Sequence, residues 1–177
     1  MFLPKVVGVL IIVLISQTAY SQGDEGIFWK ENHRLVWADF KGIPPVGHDA
    51  AAITASGLSY TYSSFVENGS VALDYTVSTY FYPNDSWYKA DQCDALTLSH
   101  EQLHFDITEL YARKMRKQLA TIKVTKATKG QIRKIYKKIN TELAAYQNAY
   151  DTATNYSRDL EKQLEWNKRI AIELNKK

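Results

Sequence analysis

SVALDYTVSTYFYPNDSWYKADQCDALTLSHEQLHFDITELY, residues 70–111, changes its periodicity halfway along, and that change decides the fold. In its first part Val71, Leu73, Tyr75, Val77, Thr79 and Phe81 fall on one side of an extended chain. Ala72, Asp74, Thr76, Ser78 and Tyr80 fall on the other. A period of two carried by β-branched and aromatic residues predicts a half-buried antiparallel strand. Pro83-Asn84-Asp85 ends it. Beyond, Leu96, Leu103, Ile107, Leu110 and Tyr111 recur at three- and four-residue steps, which is the stripe of an amphipathic helix.

Working outward, AAITASGLSYTYSSF extends from about residue 52 to 65, and Asn68-Gly69 is a turn pair, so 52–65 and 70–82 are expected to form a hairpin. FWKENHRLVWADFKGIPPVGHDA, residues 28–50, reads as a strand or extended segment, with Leu35 and Trp37 alternating with Val36, Ala38 and Phe40 until Gly42 and Pro44-Pro45 end it in a turn. After residue 89 every pattern is helical. A first helix is expected over about 89–119 and a second over about 129–154, with Ile132, Ile135, Ile139, Leu143, Tyr146, Tyr150 and Ala153 as its stripe. A third is expected over about 157–175, on Leu160, Leu164, Ala171 and Leu174, with Trp166 and Ile170 beside them. Strands first and helices second predict an α+β fold: a small N-terminal antiparallel sheet of at least three strands, packed against the first helix and covered by two C-terminal helices.

The length of 177 residues suits one domain with a real core. A formal charge of +3 does not argue for nucleic acid, and none is expected as a partner. Lys5 followed by the apolar run VVGVLIIVLI at 6–15, with Ala19 and Ser21 as small residues, predicts a signal peptide over residues 1–21 cut at Ser21–Gln22. An uncleaved anchor is the alternative, although the run is shorter than the roughly 17–25 residues that span a bilayer. The expected mature chain is a single domain over 22–177, secreted or periplasmic. Cys93 is its only cysteine, so no internal disulfide is possible, and packing or a bound metal must hold the fold.

HEQLH, residues 100–104, places two imidazoles one helical turn apart, the spacing that lets His100 and His104 hold one cation together. Glu101 sits about 100° around the same helix, where its carboxylate reaches a water beside the cation, as a general base does. Zinc is the expected cofactor. The alternative is a surface helix with two partly exposed histidines. On the same helix, Asp106 and Arg113 belong to the polar side, Glu109 and Arg113 form an i,i+4 ion pair, and Cys93 is expected as a buried thiol on the same face, too far to join the histidines. Nothing in the pattern brings His33 or His48 to the site.

From Arg113 to Lys138 the chain is rich in lysine and arginine and contains no aspartate or glutamate. Such a stretch could meet an anionic surface. A solvated helix–loop–helix is the plainer account, because Ile132, Ile135 and Ile139 keep their own apolar side.

LVWADFKGIPP at 35–45, AAITAS at 51–56, LSHEQLHFDITELYARK at 98–114 and YDTATNYSRDLEKQLEWNKRI at 150–170 together resemble a bacterial family described as secreted zinc-dependent proteases, also known as domain of unknown function 922. The resemblance covers nearly the whole mature chain and implies a zincin-like domain that hydrolyses peptide bonds in a peptide or protein substrate. It makes His100 and His104 metal ligands and Glu101 the general base. The family's C-terminal block often reads Thr-x-His-Gly, where this chain has Thr154-Asn155-Tyr156-Ser157. Tyr156 therefore stands where that histidine would be, as a phenolate ligand, a hydrogen-bond donor to an oxyanion, or a filler of space. Asp151 is the competing third ligand. A non-catalytic envelope or binding protein that keeps the zincin-like framework is the alternative function.

Overall fold

The computed structural model describes residues 26–67 and 69–176. The signal peptide expected over 1–21 and Asn68 of the expected turn pair lie outside the described residues. The elements in chain order are β1 (Ile27–Phe28), β2 (Ala52–Ile53), β3 (Ser56–Glu67), β4 (Ser70–Phe81), β5 (Trp87–Tyr88), α1 (Ala95–Leu119), α2 (Thr128–Ala153) and α3 (Leu160–Asn175). The architecture is α+β, as expected. β1, β4 and β3 form an antiparallel sheet with β4 in the centre, and β2 pairs with β5 in a second, two-stranded ribbon.

The β3–β4 hairpin keeps register from Ser56↔Phe81 to Glu67↔Ser70. Cover on the expected inward face thins toward the turn, with Leu73 and Tyr75 half-buried on the main core. Val77, Thr79 and Phe81 are buried against α1, whereas Val71 is half-exposed at 52%. The reason is length. Phe81 meets Phe105, the Thr79 hydroxyl donates to Glu109 and the Tyr75 hydroxyl donates to the Arg116 carbonyl, so the strand outlasts the helix beneath it.

Of the strand or extended segment expected here, the extended form stands: residues 35–40 make a single 3₁₀ turn at Trp37–Asp39 with extended flanks and no ladder. The Asp39 carboxylate accepts the Val36 amide at 2.8 Å, and the Leu35 amide donates to the buried Gln102 Oε1 at 2.7 Å. Local side-chain acceptors thus take the hydrogen bonds that a ladder would have used. Leu35 and Phe40 join Phe81 and Phe105 in a small core beside the main one. Gly42 then passes so close to the β4–β5 connection that a Cβ would lie 2.7 Å from the Asn84 carbonyl oxygen.

α1 starts at Ala95 rather than near residue 89, because Asp94 caps it by accepting the Thr97 amide at 2.8 Å. Residues 87–88 are diverted into β5, where Tyr88 pairs with Ala52. The helix is central. The sheet covers one side, and α2 and α3 cover the other, so Leu103, Ile107, Met115, Ile132, Ile139, Tyr150 and Ile170 make one core.

This position corrects the reading of a solvated polar side. Asp106 and Glu109 are both buried, at 5% exposure. Asp106 accepts Trp29 Nε1 at 2.8 Å, Arg34 Nη1 at 2.9 Å and Gln102 Nε2 at 3.0 Å. Glu109 accepts Thr79, Arg113 and Arg116. The expected Glu109–Arg113 pair exists, but inside a satisfied buried network, where losing one partner is costly.

α3 is rotated relative to its expected stripe. Leu160 and Leu164 are exposed, at 56% and 57%, and Gln163 and Ile170 face inward, whereas Leu174 of the same expected stripe packs on the core. Ala171 and, on α2, Ala153 are exposed as well.

Candidate metal centre

α1 carries His100 and His104 one turn apart, and the last turn of α2 brings Asp151 over them. The Asp151 Oδ1 atom lies 3.1 Å from His100 Nε2 and 2.9 Å from His104 Nε2, and the two Nε2 atoms are 3.2 Å apart. Three potential ligands thus form a nearly equilateral triangle. Ligands about 2.0–2.1 Å from a zinc ion stand about 3.3–3.4 Å apart on a tetrahedron, so the triangle is one slightly contracted tetrahedral face. Two imidazoles and one carboxylate suit zinc chemically. The residues fit the metal that the helix spacing implied.

Electrostatics agree with the geometry. Burial pushes the Asp151 carboxyl upward, but hydrogen bonds from His100 and His104 outweigh it and hold the group well below the usual carboxylate range. On His104, burial acts to lower the pKa, but the hydrogen bond to Asp151 and the nearby Glu101 carboxylate outweigh it, for a net rise. Tyr150 is raised strongly, first by burial, and remains a neutral phenol.

A second layer fixes the first. Gln163 is fully buried, and its Nε2 donates to Asn167 Oδ1 at 2.8 Å, while Asn167 Nδ2 donates to Ser99 Oγ at 2.9 Å. This chain turns the Gln163 Oε1 atom toward His100 Nδ1, 3.0 Å away, and toward the Tyr150 hydroxyl, which donates at 2.8 Å. With a metal in the triangle, an acceptor opposite Nδ1 would keep the ring hydrogen there and leave the Nε2 lone pair to face the ion. The Tyr150 ring stacks on His100 with centroids 4.5 Å apart, and Trp166 packs on Tyr150 at 5.2 Å, so the C-terminal helix meets the metal helix as expected. Gln147 Nε2 donates to the His104 carbonyl at 3.2 Å.

Glu101 is buried at 5% exposure, and its Oε2 has no hydrogen-bond partner among the described residues. It lines a cavity of about 1190 Å³ together with the three triangle residues. One wall is the 48–54 segment; Cys93, Tyr156 and Arg158 contribute elsewhere. Of the remaining histidines, His48 sits on this far wall with its ring 5.1 Å from Trp87, and His33 does not line the cavity. Cys93 precedes α1 rather than lying on it, and it is half-buried rather than buried, its thiol donating to the Ala51 carbonyl at 3.3 Å.

Tyr156 is brought to the cavity but not into the triangle. Its side chain is 61% exposed. It occupies the middle of three successive left-handed residues, Asn155, Tyr156 and Ser157, with φ of 46°, 54° and 70°. Such a run in non-glycine residues is strained, roughly 1–2 kcal/mol for each residue without a compensating side chain. The Tyr156 amide donating to the Asp151 carbonyl at 2.8 Å and the Asp159 amide donating to Thr154 at 2.9 Å hold it in place.

Gln163, Thr154 and Gln147 were not assigned a role from the sequence. Thr154 and Gln163 carry one signal, as polar residues inside the 150–170 stretch that bears the family resemblance.

An HExxH helix backed by a small antiparallel sheet, with a carboxylate supplied from a second helix, defines a zincin-like α+β protein with a candidate His/His/Asp metal centre. The chain belongs to the family described as bacterial protein of unknown function (DUF922), whose model matches residues 45–158, a span that includes all three triangle residues and Glu101. No curated protein and no solved structure matches the chain.

Proposed function

We propose that the protein is an exported, zinc-dependent peptidase in which His100, His104 and Asp151 hold the metal and Glu101 is the general base. The observation that carries this reading is the Glu101 Oε2 atom, buried without a partner at the edge of the donor triangle and inside the large cavity. A buried carboxylate oxygen with nothing to bond costs about 1–3 kcal/mol or more, and a group left so is a mark of a site that receives a ligand. When bound, zinc supplies a Lewis acid that polarises a carbonyl and brings the pKa of a water toward 7. Glu101 takes the proton of the attacking water at its free oxygen and delivers it to the leaving amine. Asp151, ionised across the working range, offsets the cation's charge, and Gln163 keeps His100 in the tautomer that presents Nε2. Tyr156, exposed and lining the cavity, is the residue we assign to substrate contact, with its phenolic hydrogen as the donor.

Export rests on the Lys5, apolar 6–15 and Ala19/Ser21 pattern. Among the described residues no helix is long and apolar enough to cross a membrane.

Peptide-library cleavage at matched zinc occupancy tests the reading. Glu101→Gln should keep zinc and lose about 10²–10⁴-fold in turnover, since the amide preserves shape but accepts no proton. Cleavage that survives in Glu101→Gln would move the chemistry elsewhere. A fully zinc-loaded wild type that cleaves nothing would make the framework a non-catalytic binding protein.

A further inference from the structure

The end of the molecule opposite the metal centre carries two features that the fold leaves without partners. α1 and α2 run antiparallel, with His100 beside Tyr150 and Lys114 beside Glu142, so the end of α1, the connection after it and the first turns of α2 gather away from the site. Lys123, Lys126, Lys129, Arg133, Lys134 and Lys137 are exposed there, and none of them forms an ion pair among the described residues. Nearby, Lys114 and Lys138 share Glu142, and Arg113 and Arg116 reach the buried Glu109. Lys129, Arg133 and Lys137 follow one another at i,i+4 steps on one face of α2, and like charges at that spacing destabilise a helix.

The β3–β4 hairpin reaches the same end. β4 passes Phe105, then Glu109, then Arg116 as its own numbers fall from Phe81 to Tyr75, so β3 ascends alongside α1 and against α2. Tyr60 packs on Tyr136 with centroids 4.9 Å apart, and the Tyr136 hydroxyl donates to the Leu58 carbonyl. From Tyr60 to Val66 the strand advances roughly 20 Å. From Tyr136 back to its start α2 has only about 12 Å left. The hairpin tip therefore stands beyond the first turn of α2, and it is apolar: Phe65, Val66 and Val71 are 45%, 73% and 52% exposed, with Val66 and Val71 paired across the ladder. Glu67 and Asp74 are the carboxylates of that part of the hairpin.

We propose that this end docks on a bilayer bearing anionic headgroups, the hairpin tip entering the interface and the α1–α2 end lying on the headgroups. Cations alone would suit any polyanion. Exposed valines and a phenylalanine at the same end suit a surface that is charged outside and apolar beneath. The docked protein holds its metal centre off the membrane by roughly 25 Å, the length of α1 from His100 to Lys117.

Co-sedimentation with vesicles tests this, using phosphatidylcholine alone and phosphatidylcholine mixed with phosphatidylglycerol, with inorganic polyphosphate as soluble competitor. The mature protein should bind only the mixed vesicles and release as salt rises. Lys129→Gln/Arg133→Gln/Lys137→Gln should weaken binding about 100-fold, from about five-fold per cation near an anionic surface. Val66→Ser/Val71→Ser should weaken it about ten-fold, because apolar burial is lost, with the salt dependence unchanged. Both variants change exposed side chains far from the triangle, so zinc uptake should match wild type and certifies their folding. Absence of binding to mixed vesicles, or binding insensitive to salt, overturns the proposal. Full displacement by polyphosphate together with a Val66→Ser/Val71→Ser variant that binds as wild type also overturns it, and assigns the cations to a soluble polyanion.

Discussion

Replacing Gln163 by leucine probes how the site is built without touching a candidate ligand. The side chain is fully buried, and its Oε1 accepts from His100 Nδ1 at 3.0 Å and from the Tyr150 hydroxyl at 2.8 Å. Tyr150 keeps a second acceptor in the His100 carbonyl at 3.3 Å, so its loss is partial. His100 has only the Thr154 hydroxyl at 3.5 Å, at the limit of a hydrogen bond. One buried donor is therefore left essentially unpaired, which costs about 1–3 kcal/mol of stability in the metal-free protein. The ring also loses the acceptor that fixes its tautomer and orientation, and removal of such a partner lowers metal affinity about 10–100-fold. Zinc affinity by competition with a chromophoric chelator, and chemical denaturation with and without chelator, read the two effects separately. Gln163→Glu, which keeps an acceptor at the same place, should hold zinc at least as well as wild type. A leucine variant that folds and binds zinc as tightly as wild type would refute the positioning role of Gln163.

Three further outcomes follow from the geometry. Asp151→Asn should weaken zinc binding more than Gln163→Leu does, and Tyr156→Phe should leave it unchanged, because the exposed phenol is outside the donor triangle; the opposite order in the same titration would make Tyr156 the third ligand. Ser157→Gly should raise stability by about 0.5–1 kcal/mol, the relief of left-handed strain exceeding the extra chain entropy of glycine; a lower melting temperature would show that the turn at φ 70° is unstrained. Metal-free protein should be most stable between about pH 4 and 6.5, since the depressed Asp151 contributes above its unfolded pKa near 3.9 and the raised His104 contributes below its unfolded value near 6.5. Zinc needs neutral imidazoles, so its stabilising effect should instead grow as the pH rises, and melting curves with and without chelator that stay parallel across this range would contradict the pairing.

How much of this was legible in the sequence depended on what each buried face is made of. The β4 alternation and the stripes of α1 and α2 were readable because their inward residues are apolar, and the HExxH spacing was readable because one helical turn sets it without tertiary help. Two-residue strands such as β2 and β5 carry no period at all. At residues 35–40 the alternating pattern marks an extended segment without a ladder, because side chains, Asp39 and Gln102, took the backbone hydrogen bonds.

α3 and the far side of α1 failed for a more instructive reason. Hydrophobic periodicity locates a core only while burial and apolarity coincide, and around the metal centre they part. Asp106 and Glu109 are buried because Trp29, Arg34, Thr79, Arg113 and Arg116 satisfy them, and Gln163 is buried because His100 and Tyr150 need an acceptor there. On α3 the inward face is then Gln163, Trp166, Asn167 and Ile170, too polar to compete with Leu160 and Leu164 for the apolar stripe, and the helix was assigned the wrong rotation. Leu160 and Leu164 stay exposed because Gln163 and Asn167 bond to α1 while Trp166, Ile170 and Leu174 supply the apolar packing. A site that orients its histidines through a buried amide must place polar residues where a core pattern expects leucine, so the disagreement between periodicity and burial points to the same residues as the chemistry.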